Sequence, residues 1–519
     1  MAVGDRLGIA RPACPAIPKR NSEADEPIGK VYTVLDLPHE AVRQGADAVE
    51  LGRDQNTGSK MGIHSPSGSD LSEAQTFLDR YPDLQAIDIV LTDCHGIGRG
   101  KTIRRHELKS LYAYGRGMPP SLFGQDVAGE DVEGTGLVLT DGGGDMRCWP
   151  VAGTLGRVPS TNRGQVLISM FNADGLPLEV EPRHALARQM AHARAAGFAP
   201  LGALELEFYL VDGERGARGR VMPARYALTG RRSLCANTMS VDELDQMSPL
   251  FDAIYAGAEE VGVPLESLIS EYAPGQYEFT IRYRDLLRAA DDVIIAKRLI
   301  RATARRFGME ACFMAKPFGH HSGSGMHLHL SLAGPDGANR FADTPAGELN
   351  PLMLQAIGGI RATIADTMLV LAPFLNSWRR FAAGVYSPVS DTWGIENRTV
   401  ALRVPSGSPA TRHFEHRVAG VDANPYLVAA VTLAGALDGM AHARDPGPPT
   451  VGNSYASGAA HDLPRSWLDA IDRFEQSAFS REVLGAPFHT GFVAIKRAEW
   501  LRMALEVSEA EWDLYGFTV

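Results

Sequence analysis

The chain has little cysteine: five in 519 residues, at positions 14, 94, 148, 235 and 312. They are widely dispersed and form no C-x-x-C pair, so neither a zinc knuckle nor a disulfide framework is readable, and a reducing cytoplasm fits. Positive charge is also scarce. Lys and Arg number 51 against 62 Asp and Glu, a formal net charge of −11. A nucleic-acid binder would usually carry a basic stripe, so nucleic acid is not expected as a partner. Long apolar runs are missing as well. The longest, YLVAAVTLAGAL (426–437), is too short to cross a bilayer and is expected as a core helix, with no membrane partner. The first thirty residues hold four prolines and charges of both signs but no continuous apolar core, so no secretory signal is expected. What is present is an ordinary globular composition, 45% hydrophobic and 22% charged, in a chain long enough for two or more domains.

Residues 1–72 differ from the rest in being rich in Pro, Gly, Ser and charge, and GRDQNTGSKMGIHSPSGSD (52–70) has a linker's composition. They are expected to be a flexible extension dispensable for catalysis, with Met61 a second candidate start ahead of a helix at 72–81. From Ala86 a strand leads into HGIGRGK (95–101), and further strands are expected at 136–141 and 165–171, giving a small β-rich domain that ends near 178. HGIGRGK lacks the spacing of a phosphate loop and is expected to be a turn carrying a surface Arg and Lys. The remainder opens with a helix at 181–197, Pro182 in its first turn and Gly197 near its end, followed by a strand at 204–211. A long helix at 285–308 has helical spacing of apolar residues and a basic, Gly-terminated end. Helices therefore alternate with antiparallel-looking strands, an α+β pattern, and the polar members of those strands would line one concave face.

Four mostly apolar segments carry acidic and histidine residues: LELEFYLV (204–211), SEYAPGQYEF (270–279), SGSGMHLHLSL (322–332) and RHFEHRV (412–418). Glu205 and Glu207 stand two apart, as do His327 and His329, and a strand's two-residue period puts each pair on one face. Any one such residue is ordinarily an Arg-paired edge carboxylate or a hydrogen-bonded core histidine. Four segments together, with Glu outnumbering His and no Cys near them, point elsewhere. Ionised carboxylates in apolar surroundings need a compensating partner, and clustered ones imply more than one divalent cation. The oxygen-rich set suits Mg²⁺ or Mn²⁺ better than Zn²⁺.

These segments, in this order, resemble the glutamine synthetase superfamily, together with MAKPFGHHSGSGMHLHLSL (314–332), RRFAAG, ENRTVALRVP (396–405) and FEHRVAGVDANPYL (414–427). The resemblance runs over about residues 73–440. It implies a β-grasp domain over 73–178, then a catalytic domain over 179–519 with a curved antiparallel sheet and flanking helices. It also implies a large double-ring homo-oligomer, such as a dodecamer, with active sites between subunits. Carried over by position, Glu207, Glu271 and Glu278 would hold the metal nearer the substrate carboxylate. Glu205, His327 and Glu415 would hold the one nearer the ATP phosphates. Arg398 and Arg403 match phosphate-binding arginines, and Arg380 and Arg417 those that grip the glutamate α-carboxylate, a task suited to a guanidinium fork. Gly323 would lie near the amino-acid substrate, His329 and Ser331 along the nucleotide, and Tyr283 near the adenine. Phosphoryl transfer from ATP to a carboxylate brings two anions together, which two cations and Arg side chains would screen.

The chain departs from that family where ammonium should bind. The closing loop of glutamine synthetases reads R-x-x-P-G-x-E-x-P; here it reads RFAAGVYSP (380–388), with Tyr386 in place of the Glu. The small-domain Asp-Gly-Ser-Ser motif is absent, the region reading GMPPSLFGQD (117–126), and Ser322 replaces an Asn. Without two carboxylates the ammonium cage is gone, while the metal, ATP and glutamate residues stay. A phenol offers an apolar ring to a substrate's carbon and a hydroxyl to its nitrogen, though it is a poor general base at neutral pH. The pattern looks like the γ-glutamyl-amine ligases, which join glutamate to polyamines, ethanolamine, alkylamines or anilines through γ-glutamyl phosphate. Asp126 and Asp391 are the alternative carboxylates that would keep glutamine synthesis from ammonia open. A non-catalytic relative would be expected to have lost metal ligands, and all six are here.

Overall fold

The computed structural model describes residues 65–138, 143–216, 219–382, 386–456 and 463–519. The extension and most of the linker expected before residue 73 therefore lie outside the described residues. Residues 65–72 belong to the fold: Gly68 bridges to Val151, and Asp70 caps the helix Leu71–Arg80, accepting from Ser72 N at 2.8 Å and Glu73 N at 3.3 Å.

The first sheet is built from β1 (Ala86–Thr92), β2 (Gly98–Arg104), β3 (Arg116–Met118), β4 (Met146–Pro150), β5 (Gly156–Val158) and β6 (Arg163–Phe171). Its order is β2-β1-β6-β4-β3, with β5 also on β6; β1 and β6 run parallel and the other pairs antiparallel. The helices Leu71–Arg80 and Leu108–Tyr114 supply Phe77, Leu78, Leu108 and Leu111 to a core with Ile87, Ile89, Val166 and Ile168. Two local expectations need correction. GRGK is not a turn but the start of β2, closed onto β1 because Asp93 accepts from His95 N and Ile97 N, each at 2.9 Å. Gly136–Val138 form no strand, and the rest of that segment lies outside the described residues.

The second sheet holds β7 (Ala199–Asp212), β8 (Leu265–Ser270), β9 (Gln276–Ile281), β10 (Arg284–Asp285), β11 (Met309–Cys312), β12 (Leu328–Ala333), β13 (Trp393–Ile395), β14 (Leu402–Val404) and β15 (Phe414–His416). Its order is β13-β14-β15-β12-β7-β9-β8, with β10 and β11 also on β7. The sheet is mixed, because β13 joins β14 in parallel; every other pair is antiparallel as expected.

Along β7 burial alternates. Leu204, Leu206 and Phe208 are buried while Glu205 and Glu207 face the other way, into the open side of the sheet. The buried face is covered by helices, foremost Leu286–Arg306, capped by Asp285 and ending in Arg305 and Arg306. The run expected as a core helix is Pro425–Ala441, buried nearly throughout. It crosses Pro351–Leu371 at glycines: a Cβ on Gly359 would sit 2.4 Å from Gly439 Cα, so no larger residue fits that approach. Pro351–Leu371 is long and apolar enough to span a bilayer, but most of it is buried in this core.

Candidate active site

Strand register assembles the acidic face. Glu207 on β7 lies opposite Glu278 on β9, and its other neighbour is Gly325, whose N–H donates to Glu207 Oε2 at 2.7 Å. Glu205 pairs with His327 through its own N–H, 3.0 Å from the His327 carbonyl. One step on, His329 lies opposite Glu415, and Glu415 opposite Arg403. His327 itself precedes β12, and Glu271 sits in the turn between β8 and β9 rather than on a strand. Residues from five stretches of chain thus form one continuous polar row.

The two ends of that row differ electrostatically. At one end the carboxylates already have cationic partners. Glu205 accepts from His327 Nδ1 at 2.7 Å and faces His329 Nε2 at 3.0 Å, and Glu415 meets Arg403 Nη1 at 2.9 Å and also pairs with Arg417. Burial works against the charge on Glu205, but the two histidine hydrogen bonds hold its carboxyl well below the usual range. Burial likewise opposes ionisation of Glu415, and the Arg417 guanidinium overcomes it. At the other end compensation is weaker: the Gly325 N–H serves Glu207 and the charge of Arg398 reaches Glu271, but burial and crowding prevail. Burial and then the neighbouring Glu205, Glu207 and Glu271 push Glu278 well up, and burial with Glu207 raises Glu271 to about 7. Carboxylates crowded this way fit a hard divalent cation. Ligand atoms of Glu205, His329 and Glu415 also lie within 4.8 Å of one another, so His329 joins the metal-competent group beside His327.

The arginines pack against this row. Arg380 is buried, donating from Nη1 to the Val418 carbonyl at 2.7 Å and from Nη2 to the Arg417 carbonyl at 3.2 Å. Arg417 is buried, and its Nε has no hydrogen-bond partner among the described residues. Gly323 and Gly325 make room: a Cβ on Gly323 would lie 2.7 Å from Arg380 Cγ, and one on Gly325 2.7 Å from both Arg380 Nη2 and His327 Nε2. Ser331 follows His329 on the same face of β12. Tyr283 and Arg398 stand exposed, outside the hydrogen-bond network of the described residues, though the charge of Arg398 still reaches Glu271. Tyr386 is 54% exposed with a left-handed φ of 55°.

The two alternative carboxylates are committed elsewhere. Asp126 accepts from Ala128 N and Glu130 N in its own turn and pairs with Arg502. Asp391 pairs with Arg361 at 3.1 Å. Two residues went unassigned in the sequence. His413 lies 3.0 Å from His329, inside a quoted segment but with no spacing to mark it. Tyr455 donates to the Ser387 carbonyl at 3.0 Å and lies within electrostatic reach of Arg417 and Arg380, and a lone Tyr carries no sequence signal.

Comparison with known proteins agrees with this geometry. The family model for the glutamine synthetase catalytic domain matches residues 179–515. The chain is 38% identical over 444 residues to the γ-glutamylputrescine synthetase PuuA of Escherichia coli K12, spanning 85% of this chain and 93% of that protein. The glutamate–isopropylamine ligase of a Pseudomonas species is 29% identical over 430 residues, spanning 82% and 93%. Among solved structures, a GmaS/ADP complex superposes with a TM-score of 0.72 at 27% identity, covering 85% of this chain and 98% of that one.

Proposed function

Because the chain belongs to the glutamine synthetase family, we propose that it is an ATP-dependent carbon–nitrogen ligase joining the glutamate γ-carboxylate to an organic amine through γ-glutamyl phosphate. One observation carries the reading: an intact row of acidic, histidine and arginine residues stands beside a loop that presents Tyr386 instead of a carboxylate. The relatives named for putrescine and isopropylamine support an amine as acceptor. The commitment of Asp126 and Asp391 to Arg502 and Arg361 weighs against ammonia.

In this reading Arg380 and Arg417 grip the glutamate α-carboxylate, the unpartnered Nε of Arg417 being available to it. Arg403, already turned toward the row by Glu415, and Arg398 meet the ATP phosphates, while His329, Ser331 and Tyr283 lie along the nucleotide. Mg²⁺ or Mn²⁺, two or three ions held by Glu207, Glu271 and Glu278 and by Glu205, His327 and Glu415, would screen the approach of the two anions. The γ-carboxylate oxygen attacks the terminal phosphorus and ADP leaves. The amine nitrogen then attacks the acyl carbon, phosphate departs, and the nitrogen loses a proton. Tyr386 lies along the amine's carbon.

We further assign residues 73–178 to a β-grasp domain and 179–519 to the catalytic domain of a cytoplasmic enzyme. A double-ring homo-oligomer with sites between subunits fits the C-terminal tail. Leu505, Val507, Trp512, Leu514, Phe517 and Val519 are all exposed, an apolar series that water disfavours. Deleting residues 505–519 should lower the oligomer mass in light scattering while leaving far-ultraviolet dichroism near wild type. An unchanged mass would remove the tail from the assembly.

The central test incubates the protein with ATP, Mg²⁺, glutamate and putrescine, isopropylamine, ethanolamine or ammonia, following phosphate release. Ammonia having the highest kcat/KM would sink the amine reading. Tyr386→Glu should shift the amine-to-ammonia ratio of kcat/KM toward ammonia by about tenfold, one charged acceptor being restored. An unchanged ratio would mean that Tyr386 does not face the amine.

A further inference from the structure

The Tyr386 ring that the proposed reaction uses is itself weakly held: it is more than half exposed and its backbone sits in a left-handed conformation. Something else must define where it stands. The Tyr455 hydroxyl reaches the next residue, donating to the Ser387 carbonyl at 3.0 Å, and the Tyr386 backbone lies within its electrostatic reach. The same half-buried phenol lies within electrostatic reach of the Arg417 and Arg380 guanidinium groups.

Tyr455 is in turn anchored by a short run of chain tied to the segment that carries Arg398. Asn453 Oδ1 accepts from Tyr455 N at 3.0 Å, and Ser454 N donates to Thr399 Oγ1 at 3.0 Å. Asn397 Nδ2 donates to the Thr450 and Gly452 carbonyls at 3.1 and 2.8 Å. A bracket of hydrogen bonds therefore links the Asn397–Thr399 stretch, through Ser454 and Tyr455, to the Ser387 carbonyl next to Tyr386.

We propose that Tyr455 is a positioning residue for amine selection: its hydroxyl holds the Ser387 carbonyl and so fixes the backbone that carries the Tyr386 ring toward the Arg380–Arg417 pair. The inference rests on the amine-ligase reading above and adds the residue on which the acceptor site's shape depends. It is specific to the acceptor half of the reaction. Among the described residues the hydroxyl gives no hydrogen bond to the acidic row, to Arg380 or Arg417, or to the Asn397–Thr399 stretch, which its backbone neighbours hold, so removing the hydroxyl alone should leave ATP, metal and glutamate binding in place.

The experiment is Tyr455→Phe, which removes the hydroxyl and keeps the ring. Steady-state phosphate release would be measured with putrescine, isopropylamine, ethanolamine and ammonia, alongside thermal shifts with Mg²⁺-ATP to establish that the variant is folded. The expected result is a rise of about tenfold in KM for the preferred amine with kcat largely kept. The amine-to-ammonia preference should shrink by a similar factor, while the KM values for ATP and glutamate stay within about twofold. An unchanged amine KM would overturn the proposal, and so would an equal rise in all three KM values, which would mark Tyr455 as a general structural staple. Wild-type enzyme that turns over no amine would instead refute the ligase reading, and this proposal with it.

Discussion

Glu278→Gln should lower amine-dependent turnover by roughly a thousandfold and yet raise the melting temperature of the metal-free protein by a few degrees at neutral pH. The two effects have one cause. Glu278 is buried among Glu205, Glu207, Glu271 and Glu415, and its ionised form is resisted first by burial and then by those carboxylates. Glutamine keeps the shape and removes the charge. In the metal-free state that removes the unfavourable carboxyl, whereas in the proposed enzyme it removes a metal ligand from the end of the row where carboxylates crowd together.

The pH dependence follows with a definite sign. Glu271 rises from 4.5 to about 7, and Glu278 moves the same way. Between those values the folded protein holds protons that the unfolded chain has already released, so stability falls as pH rises through that window. Above it Glu271 is ionised in both states and its share of the loss is complete. Metal-free protein should therefore melt at lower temperature at about pH 8 than at about pH 5, with Mg²⁺ closing most of the gap. Glu278→Gln should show a smaller pH trend and a smaller Mg²⁺ shift. Calorimetry of both proteins, with and without Mg²⁺, decides it. A metal-free variant less stable than wild type would show that the carboxylates do not repel one another as described.

Much of this site was legible because strands repeat every two residues. The spacing of Glu205 and Glu207 places both on one side of β7 from the sequence alone, and the same period carries His327 to His329 although His327 precedes its strand. The long helix Leu286–Arg306 is likewise legible in its apolar spacing and its basic, Gly-terminated end, while its Asp285 cap emerges only in the structure. Pairings across the chain were not. Asp126 appeared as a spare carboxylate because Arg502, which neutralises it, lies 376 residues away. Asp391 likewise carries no sign in the sequence of Arg361, which pairs with it at 3.1 Å in the fold. The glycines of HGIGRGK (95–101) suggest a turn throughout, but β1 supplies a ladder to its second half that local propensity cannot foresee. Tyr455 left no trace: its role depends on Ser387, 68 residues upstream, and on a single hydroxyl.

Gly325→Ala should cost about a hundredfold in kcat/KM with the fold intact, because its single methyl would crowd both Arg380 and His327, the proposed substrate and metal residues. The new Cβ would lie 2.7 Å from Arg380 Nη2 and 2.7 Å from His327 Nε2, distances at which something must move. Both neighbours are ends of side chains, so the guanidinium and the imidazole shift while the backbone stays. The loss should therefore divide between a raised KM for glutamate, through Arg380, and a reduced Mg²⁺ thermal shift, through His327. Gly319→Ala is the matched control: it lies in the same Gly-rich stretch, and a Cβ there meets nothing within 4 Å. If the two alanine variants were kinetically indistinguishable, Arg380 and His327 would not share the boundary that the geometry gives them. A loss confined to glutamate KM would leave Arg380 on that boundary and remove His327 from it. The methyl at 325 thus separates the two halves of the site more cleanly than deleting either residue, since neither charge is lost and neither buried partner is stranded.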